Sequence, residues 1–512
     1  ERLAQALARR GFTQGHFPSS MYCSTLGGWI AARSAGQFST RYGKIEDQVL
    51  GGVAVLGDGT LVTQGPSPLR APELDALIGA EGALGVWTQA TLRIHPLPAA
   101  KAWRGFDMKM ERAVAALEEV MASGLVPSVV RLYDPLDSLL HRRPPHSGGK
   151  GTTARLAAHW PRTARLLSTL APNRCRLIVG VEGDGERVQC EMQHIIAAVQ
   201  EHGGEDLGEA PGVAWYRRRY AISYEQSRAF RAGLAVDTME VACAWERVMP
   251  VYASVRRAAR AAGALVAAHI SHIYVEGAAI YFTFALPIAW GTAAYDRVWQ
   301  AALAVALSAG ANVSHHHGTG RRKASALAQS LGGAMRTLGA IVQRFDPGGV
   351  LAGQSAPEPR KREPPRRQER PDDMTRATLA SPALFAAAAT ARLAEIENGL
   401  ASRGRSLRPA AQLFGAWQLG DAAQKHLLWR HNPQLGIIES MVAGVDAMVS
   451  GAPHFFVPAP RAASGPDMLP DLLRSAVERV WLRTSPWPAL TLAWQGDLDW
   501  ALRLAQELVR DA

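Results

Sequence analysis

The run Pro357 to Asp373 contains only proline, glutamine and charged residues, with no hydrophobic side chain to bury. Such a stretch reads as a solvated linker and cannot lie inside a core. The 512-residue chain must therefore fold as two parts, one on each side of it. Its 47% hydrophobic content is ample for a globular core in each.

The part after the linker reads as a copy of the start of the chain. A shift of 393 positions pairs Arg10-Gly11 with Arg403-Gly404, Leu26-Gly27 with Leu419-Gly420, Ile45-Glu46 with Ile438-Glu439 and Val49 with Val442, without a gap. The copy has lost glycines. Asp421 stands opposite Gly28 and, one residue out of register, Ala476 opposite Gly82 and Arg479 opposite Gly85. Side chains there block close backbone approach to a ligand. Residues 376–512 are thus expected to be a degenerate, non-binding repeat.

Composition excludes some classes. No run of eighteen apolar residues exists, so no transmembrane helix is expected. Four cysteines lie far apart without a CxxC pair, which fits a reducing compartment and argues against a disulfide framework or a zinc site. The formal charge of +11 is spread along Ala/Arg-rich helices and forms no basic module, so no nucleic-acid partner is expected. Glu1 to Arg10 reads as a helix already under way, as in a fragment or a mis-called start.

Two glycine-rich motifs precede residue 98. Ser24-Thr25-Leu26-Gly27-Gly28-Trp29 opens a helix whose first N–H groups suit phosphate, and Glu81-Gly82-Ala83-Leu84-Gly85-Val86-Trp87 leads into a strand from Thr91 to His95. No GxGxxG lies between a strand and a helix, which argues against a nicotinamide site. From Ala99 strands alternate with helices, and the strands lack the continuous apolar runs of a buried parallel sheet. An antiparallel sheet with helices on one face is expected. Ala324 to Phe345 reads as one helix stopping at Asp346-Pro347-Gly348-Gly349. Ser314-His315-His316-His317-Gly318-Thr319-Gly320-Arg321-Arg322-Lys323 cannot lie in a regular element with all three imidazoles facing one point. It reads as a loop presenting histidines to a cavity. Three histidines without a carboxylate at ligand spacing make a weak metal site, so no metal is expected.

These motifs resemble the flavoprotein family of vanillyl-alcohol oxidase, with residues 1 to about 352 covered. Pro18 to Trp29, Tyr42-Gly43-Lys44-Ile45-Glu46-Asp47 and Glu81 to Val86 carry the wider likeness. The triplet followed by Gly-x-Gly and basic residues resembles the alkyldihydroxyacetonephosphate synthase branch. The resemblance implies an α+β fold with a PCMH-type FAD-binding domain, second subdomain present and first missing, beneath an antiparallel-sheet cap. The expected limits are 1–98 for the FAD-binding domain, 99–313 for the cap and 314–352 for the active-site loop and closing helix. The linker then spans 353–375 and the repeat 376–512.

FAD contacts are implied from Pro18, Ser19, Ser20, Met21, Tyr22, Cys23, Ser24, Thr25, Gly27 and Gly28, then Ala31, Ala32, Arg33 and Ser34. Glu81, Gly82, Ala83, Leu84, Gly85, Val86 and Trp87 complete the set. The family's glycine-rich pyrophosphate loop would precede Glu1. Tyr281 matches the family's acid/base tyrosine, and Arg131 an arginine needed for activity. His315, His316 and His317 are expected to act as cationic neighbours that tune the phenol toward neutrality. The family's substrate-phosphate arginine falls near Gln226, with Arg228 two residues away.

The activity implied is exchange of acyl for alkyl on dihydroxyacetone phosphate, the ether-forming step of ether lipid biosynthesis. Two alternatives remain: an FAD-linked oxidase or dehydrogenase of a 2-hydroxy acid such as lactate or glycolate, and a non-catalytic protein of eroded flavin domains. The expected partner is a small, anionic, lipid-like substrate in the cytoplasm. Peripheral membrane contact and a homodimer stay open. Plainer roles stand beside these: a packed aromatic for Tyr281, a surface ion pair for Arg131, a polar turn for the triplet, and core for Trp29.

Overall fold

The computed structural model describes residues 1–67, 71–141, 173–221, 229–231 and 233–351. In the C-terminal part it describes 384–388, 393–401, 405–406, 442–449, 452–454, 476–483 and 485–486. The linker at 353–375, Arg228 and Asp421 lie outside these residues.

Near the N-terminus, β2 (Val49–Leu56) pairs antiparallel with β3 (Leu61–Gln64) and β4 (Gly85–Leu92). The turn joining β2 to β3 is held by Asp58, whose carboxylate accepts the Thr60 N–H. Strands β1 (Phe12–Thr13) and β5 (His95–Pro96) form a separate antiparallel pair. β4 starts six residues earlier than the expected strand, because Gly85 packs into the sheet. A Cβ there would lie 2.7 Å from Leu77 Cδ2 and 2.9 Å from the Val55 carbonyl oxygen. Leu74, Leu77 and Leu84 pack with Ala54 and with Phe345, which ends the helix Ala334–Phe345.

The cap is a seven-stranded sheet in the order β10-β12-β11-β7-β8-β6-β9, antiparallel at every pairing. Its strands are β6 (Ala100–Met108), β7 (Val129–Tyr133), β8 (Cys175–Gly183), β9 (Glu205–Asp206), β10 (Leu234–Ala244), β11 (Leu265–Tyr274) and β12 (Gly277–Pro287). Alternation sorts their side chains. Val130 and Leu132, Leu177 and Val179, Val266, Ala268 and Ile270, and Ile280, Phe282 and Phe284 face one large core. That core is completed by the helices Met110–Ala122, Gly185–Glu201, Trp245–Ala261 and Gly291–Ser308. The intervening residues face the other way, toward the N-terminal unit. The helix Trp245–Ala261 carries Pro250 inside it, and the residue hides it from sequence patterning. The helix expected over 324–345 is two helices, Ala324–Leu331 and Ala334–Phe345, parted at Gly332, where φ is +50°.

In the C-terminal part β13 (Leu384–Ala388), β15 (Val442–Val449), β16 (Ala452–His454) and β17 (Ala476–Arg483) form an antiparallel sheet in the order β13-β17-β15-β16. β14 (Arg405–Ser406) pairs with β18 (Ser485–Pro486). Among the described residues no helix is long and apolar enough to cross a membrane, and the four cysteines are free.

Candidate active site

One transverse row of the cap sheet organises the site. Glu240 on β10 is directly opposite Tyr281 on β12, Tyr281 opposite His269 on β11, and His269 opposite Tyr133 on β7. Arg131 sits two residues along β7, opposite Ser271. All share the parity that points away from the helices.

The histidine loop is fastened to this row by Glu240. One carboxylate oxygen, Oε1, accepts the backbone N–H groups of His316 (3.1 Å) and His317 (2.7 Å) and the Ser314 hydroxyl. Oε2 accepts the His315 N–H at 2.7 Å. A second carboxylate, Glu81, reaches from the N-terminal unit and accepts Thr319 N–H at 2.6 Å, the Thr319 hydroxyl at 2.9 Å and Gly320 N–H at 2.9 Å. Glu81 takes φ of +52° to do so, a left-handed conformation costly for a side-chain-bearing residue. Lys44, fully buried, donates to the His315 carbonyl at 2.6 Å and pairs with Glu46 at 3.1 Å. The loop is therefore clamped from both halves of the molecule.

Burial works against protonation of His316 and His317, where the triplet led to an expectation of cationic neighbours. Burial, with His317, Lys44, Lys323 and Arg131 nearby, holds His316 well below the ordinary histidine range. His317 is lowered by burial despite the Glu240 carboxylate. Tyr281 moves the other way. Burial raises its phenol well above the ordinary tyrosine range, and of the charged groups around it only Arg131 opposes this. Its OH lies 3.0 Å from His316 Nε2, and its ring stacks on His269 at 4.5 Å and 15°. Tyr281 is thus a neutral hydrogen-bonding acid whose proton partner is a neutral imidazole. Glu240, His315 and His316 present ligand atoms within 4.8 Å of one another. The carboxylate oxygens are already occupied by four loop donors, so the group is built as an anchor.

A cavity of about 960 Å³ lies between the two halves, within the range of small-molecule and cofactor sites. Tyr281, Arg131, His316 and His317 line it, while His315 is buried behind them. Of the residues expected to contact FAD, Pro18, Ser19, Ser20, Cys23, Ser24, Thr25, Gly28, Ala32 and Ser34 are on its wall. The others are not. Met21 is packed in a small core, Tyr22 is exposed, and Arg33 pairs with Glu46. Gly27 and Ala31 are also absent from the wall, and a Cβ on Gly27 would press against the Trp87 carbonyl oxygen at 3.3 Å. The whole segment Glu81, Gly82, Ala83, Leu84, Gly85, Val86 and Trp87 stands off the cavity: Glu81 holds the histidine loop, and Gly85 to Trp87 belong to β4. Thr25 Oγ1 accepts the Gly28 N–H at 3.1 Å, so that donor is spent on capping its own helix. Trp29 is both core and wall.

The wall suits a polar ring system. Gln37 Oε1 and Arg131 Nε are buried there without a hydrogen-bond partner among the described residues. Gly28, Ala32, Ser34 and Ala35 leave room beside them. Sequence reasoning missed Gln37, Asp237, His269, His272 and Arg219, all on the wall. His269 carried a signal, being a polar residue in an apolar strand. Gln37 and Arg219 carried none.

An N-terminal antiparallel unit facing an antiparallel cap across one cavity is the PCMH-type FAD-binding fold. Residues 106–354 match the C-terminal domain of FAD linked oxidases and residues 1–65 an FAD binding domain, so the chain carries both of these FAD-linked oxidase domains. It is 28% identical over 331 residues to alkyldihydroxyacetonephosphate synthase of Dictyostelium discoideum, covering 62% of this chain and 54% of that protein. It is 30% identical over 331 residues to the Trypanosoma brucei brucei protein of the same name, covering 62% and 53%. The chain thus spans about half the length of these relatives. A solved structure of an alkyldihydroxyacetonephosphate synthase superimposes with a TM-score of 0.55 at 23% identity, over 69% of this chain and 62% of that one.

Proposed function

We propose that this protein is an FAD-dependent transferase that replaces the acyl chain of an acylated dihydroxyacetone phosphate with a fatty alcohol, forming an ether bond without net redox change. The observation that carries the reading is the Tyr281–His316 pair on a cavity wall shared with Ser19, Ser20, Thr25 and Gly28. It is supported by the relatives' shared name. When bound, FAD supplies a ring nitrogen as nucleophile. The chain's own residues orient the substrate and handle protons. Tyr281 donates to the departing oxygen. Arg131 serves the substrate's phosphate: its guanidinium lies 5.7 Å from the Trp215 ring centroid and makes no hydrogen bond or ion pair among the described residues, so its charge is available to an anion. Arg219 on the same wall is a second candidate.

The test is flavin-loaded full-length protein mixed with acyl-dihydroxyacetone phosphate and labelled fatty alcohol. Labelled ether with the flavin remaining oxidised is the expected result. Anaerobic bleaching of the flavin by lactate or glycolate, with turnover, would overturn the reading in favour of a 2-hydroxy-acid oxidoreductase.

Residues 376–512 fit a degenerate repeat of the flavin-type unit. β15 and β17 pair as β2 and β4 do, β14 and β18 as β1 and β5 do, and β15 begins 393 residues after β2. Ala476 and Arg479 lie within β17, whereas Gly85 is the first residue of β4 and Gly82 precedes that strand.

A further inference from the structure

Tyr281 does not end at His316. From its OH a chain of hydrogen bonds runs to His316 Nε2 (3.0 Å), from His316 Nδ1 to His315 Nδ1 (2.9 Å), and from His315 Nε2 to the Tyr274 OH (3.1 Å). It continues from the Tyr274 OH to Ser39 Oγ (3.1 Å) and from Ser39 Oγ to His272 Nδ1 (2.6 Å). Two imidazoles meeting through their Nδ1 atoms cannot both donate or both accept while neutral, so the tautomer of one fixes the other. The last member returns to the cavity. His272 lines it, with Nδ1 engaged by Ser39. A β-bulge puts it there: the β11 register slips between Ser271 and Ile273, and His272 adopts φ of +52°. In a regular strand residue 272 would face the helices. The bulge re-aims it into the site.

Resting on the transferase reading, we propose that these six residues form a proton relay that makes Tyr281 and His272 the acid and the base of one reaction. Tyr281 gives its phenolic proton to the departing carboxylate oxygen and takes one from His316 Nε2. His316 is refilled at Nδ1 from His315 Nδ1, and His315 at Nε2 from Tyr274. Tyr274 takes a proton from Ser39, and Ser39 from His272 Nδ1. His272 Nε2 accepts the proton of the incoming alcohol. One proton enters, one leaves, every imidazole changes tautomer and no member stays charged. Burial favours this neutral path, because it holds both His272 and His316 well below the ordinary histidine range. After transfer Tyr281 presents a lone pair and His272 an N–H; between turnovers the wire resets by the reverse hop, Tyr281 taking a proton from solvent water in the emptied cavity while His272 Nε2 returns one to it.

Tyr274→Phe removes one hydroxyl from the middle of the wire and keeps the ring. In the flavin-loaded full-length protein, kcat for alkyl exchange is expected to fall about 10- to 100-fold with KM held within about twofold. The multi-proton curvature of the rate in H2O/D2O mixtures should disappear. Ser39→Ala should do the same, and the double variant should lose no more than either alone, since both cut one wire. An unchanged kcat and proton inventory, or losses that multiply in the double variant, would overturn the relay. Imidazole 15N shifts give a reading independent of turnover. The His315 and His316 tautomers should change together in Tyr274→Phe, with the flavin spectrum and thermal midpoint reporting an intact fold. If the wild type forms no ether, the transferase reading fails by itself, and unchanged imidazole shifts in Tyr274→Phe would then sink the relay separately.

Discussion

Replacing Glu240 with glutamine tests the clamp on the histidine loop. The side chain keeps its shape, but one of its two acceptor oxygens becomes an amide donor. If the remaining oxygen keeps the His316 and His317 N–H groups and the Ser314 hydroxyl, the new NH2 faces the His315 N–H, now accepted at 2.7 Å. Losing that charge-assisted bond and stranding a buried N–H costs about 1–3 kcal/mol. Lys323 is almost fully buried, its Nζ donates to the Glu240 carbonyl at 3.4 Å, and the carboxylate is a leading support of its charge. The ammonium bonds the Glu240 backbone carbonyl and not its carboxylate, so the roughly 3–5 kcal/mol for breaking a buried ion pair is a ceiling. The two effects overlap, so about 1–5 kcal/mol in all is expected. For a domain of 150–250 residues that corresponds to a fall in Tm of roughly 2–20 °C. Scanning calorimetry of the flavin-loaded protein at pH 7 reads it directly. A second substitution, Lys323→Met, should restore part of the loss by removing the stranded charge. A Tm within about 2 °C of wild type would mean that the carboxylate is not what holds the loop.

Other outcomes follow from the same geometry. Tyr281→Phe should keep the flavin spectrum and Tm but lower kcat by about 10²–10⁴-fold in the exchange assay. Arg131→Met should raise KM for the phosphate substrate by roughly 10- to 150-fold, the worth of about 1.5–3 kcal/mol for hydrogen bonds to a charged group. Acid should destabilise the fold in two stages, measurable by urea titration at a series of pH values. His16 is held at about 3 by burial and Lys44, so the unfolded imidazole takes a proton that the native one refuses. Stability should drop as pH falls from 6.5 toward 3, by up to about 1.4 kcal/mol per pH unit for each such histidine. Burial alone would raise the Glu240 carboxyl, but Lys323, His317 and the loop donors outweigh it and hold it at about 2. Its contribution is complete above 4.5 and is lost as pH falls toward 2.

Hydrophobic alternation made most of the cap legible in the sequence. The apolar pattern puts strands at 128–133, 175–182, 264–274 and 278–286, each within a residue of the bounds of β7, β8, β11 and β12. The triplet, Tyr281 and Arg131 could be singled out as a set because motif and resemblance agreed on them. Their physical state could not. Three histidines beside basic residues read as a cationic wall, but whether an imidazole is charged depends on burial, and burial depends on packing between halves far apart in sequence. Glu81 shows the same limit. It stands in a glycine-rich motif that suggests cofactor contact, while its carboxylate is engaged 238 positions away by Thr319. Ser39, Tyr274 and His272 carry no motif, and the bulge that turns His272 into the cavity has no glycine to mark it.

The transverse row Glu240–Tyr281–His269–Tyr133 has one more consequence. Strand residues alternate faces, so a slip of β12 by a single residue would turn Ile280 or Phe282 into the cavity and drive the Tyr281 hydroxyl into the core. Adjacent positions on one strand therefore record two unrelated demands, solubility of the folded chain on one parity and chemistry on the other. Neither can be shifted in frame without ruining its neighbour. Insertions and deletions should be purged from β10, β11 and β12 far more strictly than substitutions, and a library of single-residue insertions across 234–287 would map the boundaries of that intolerance.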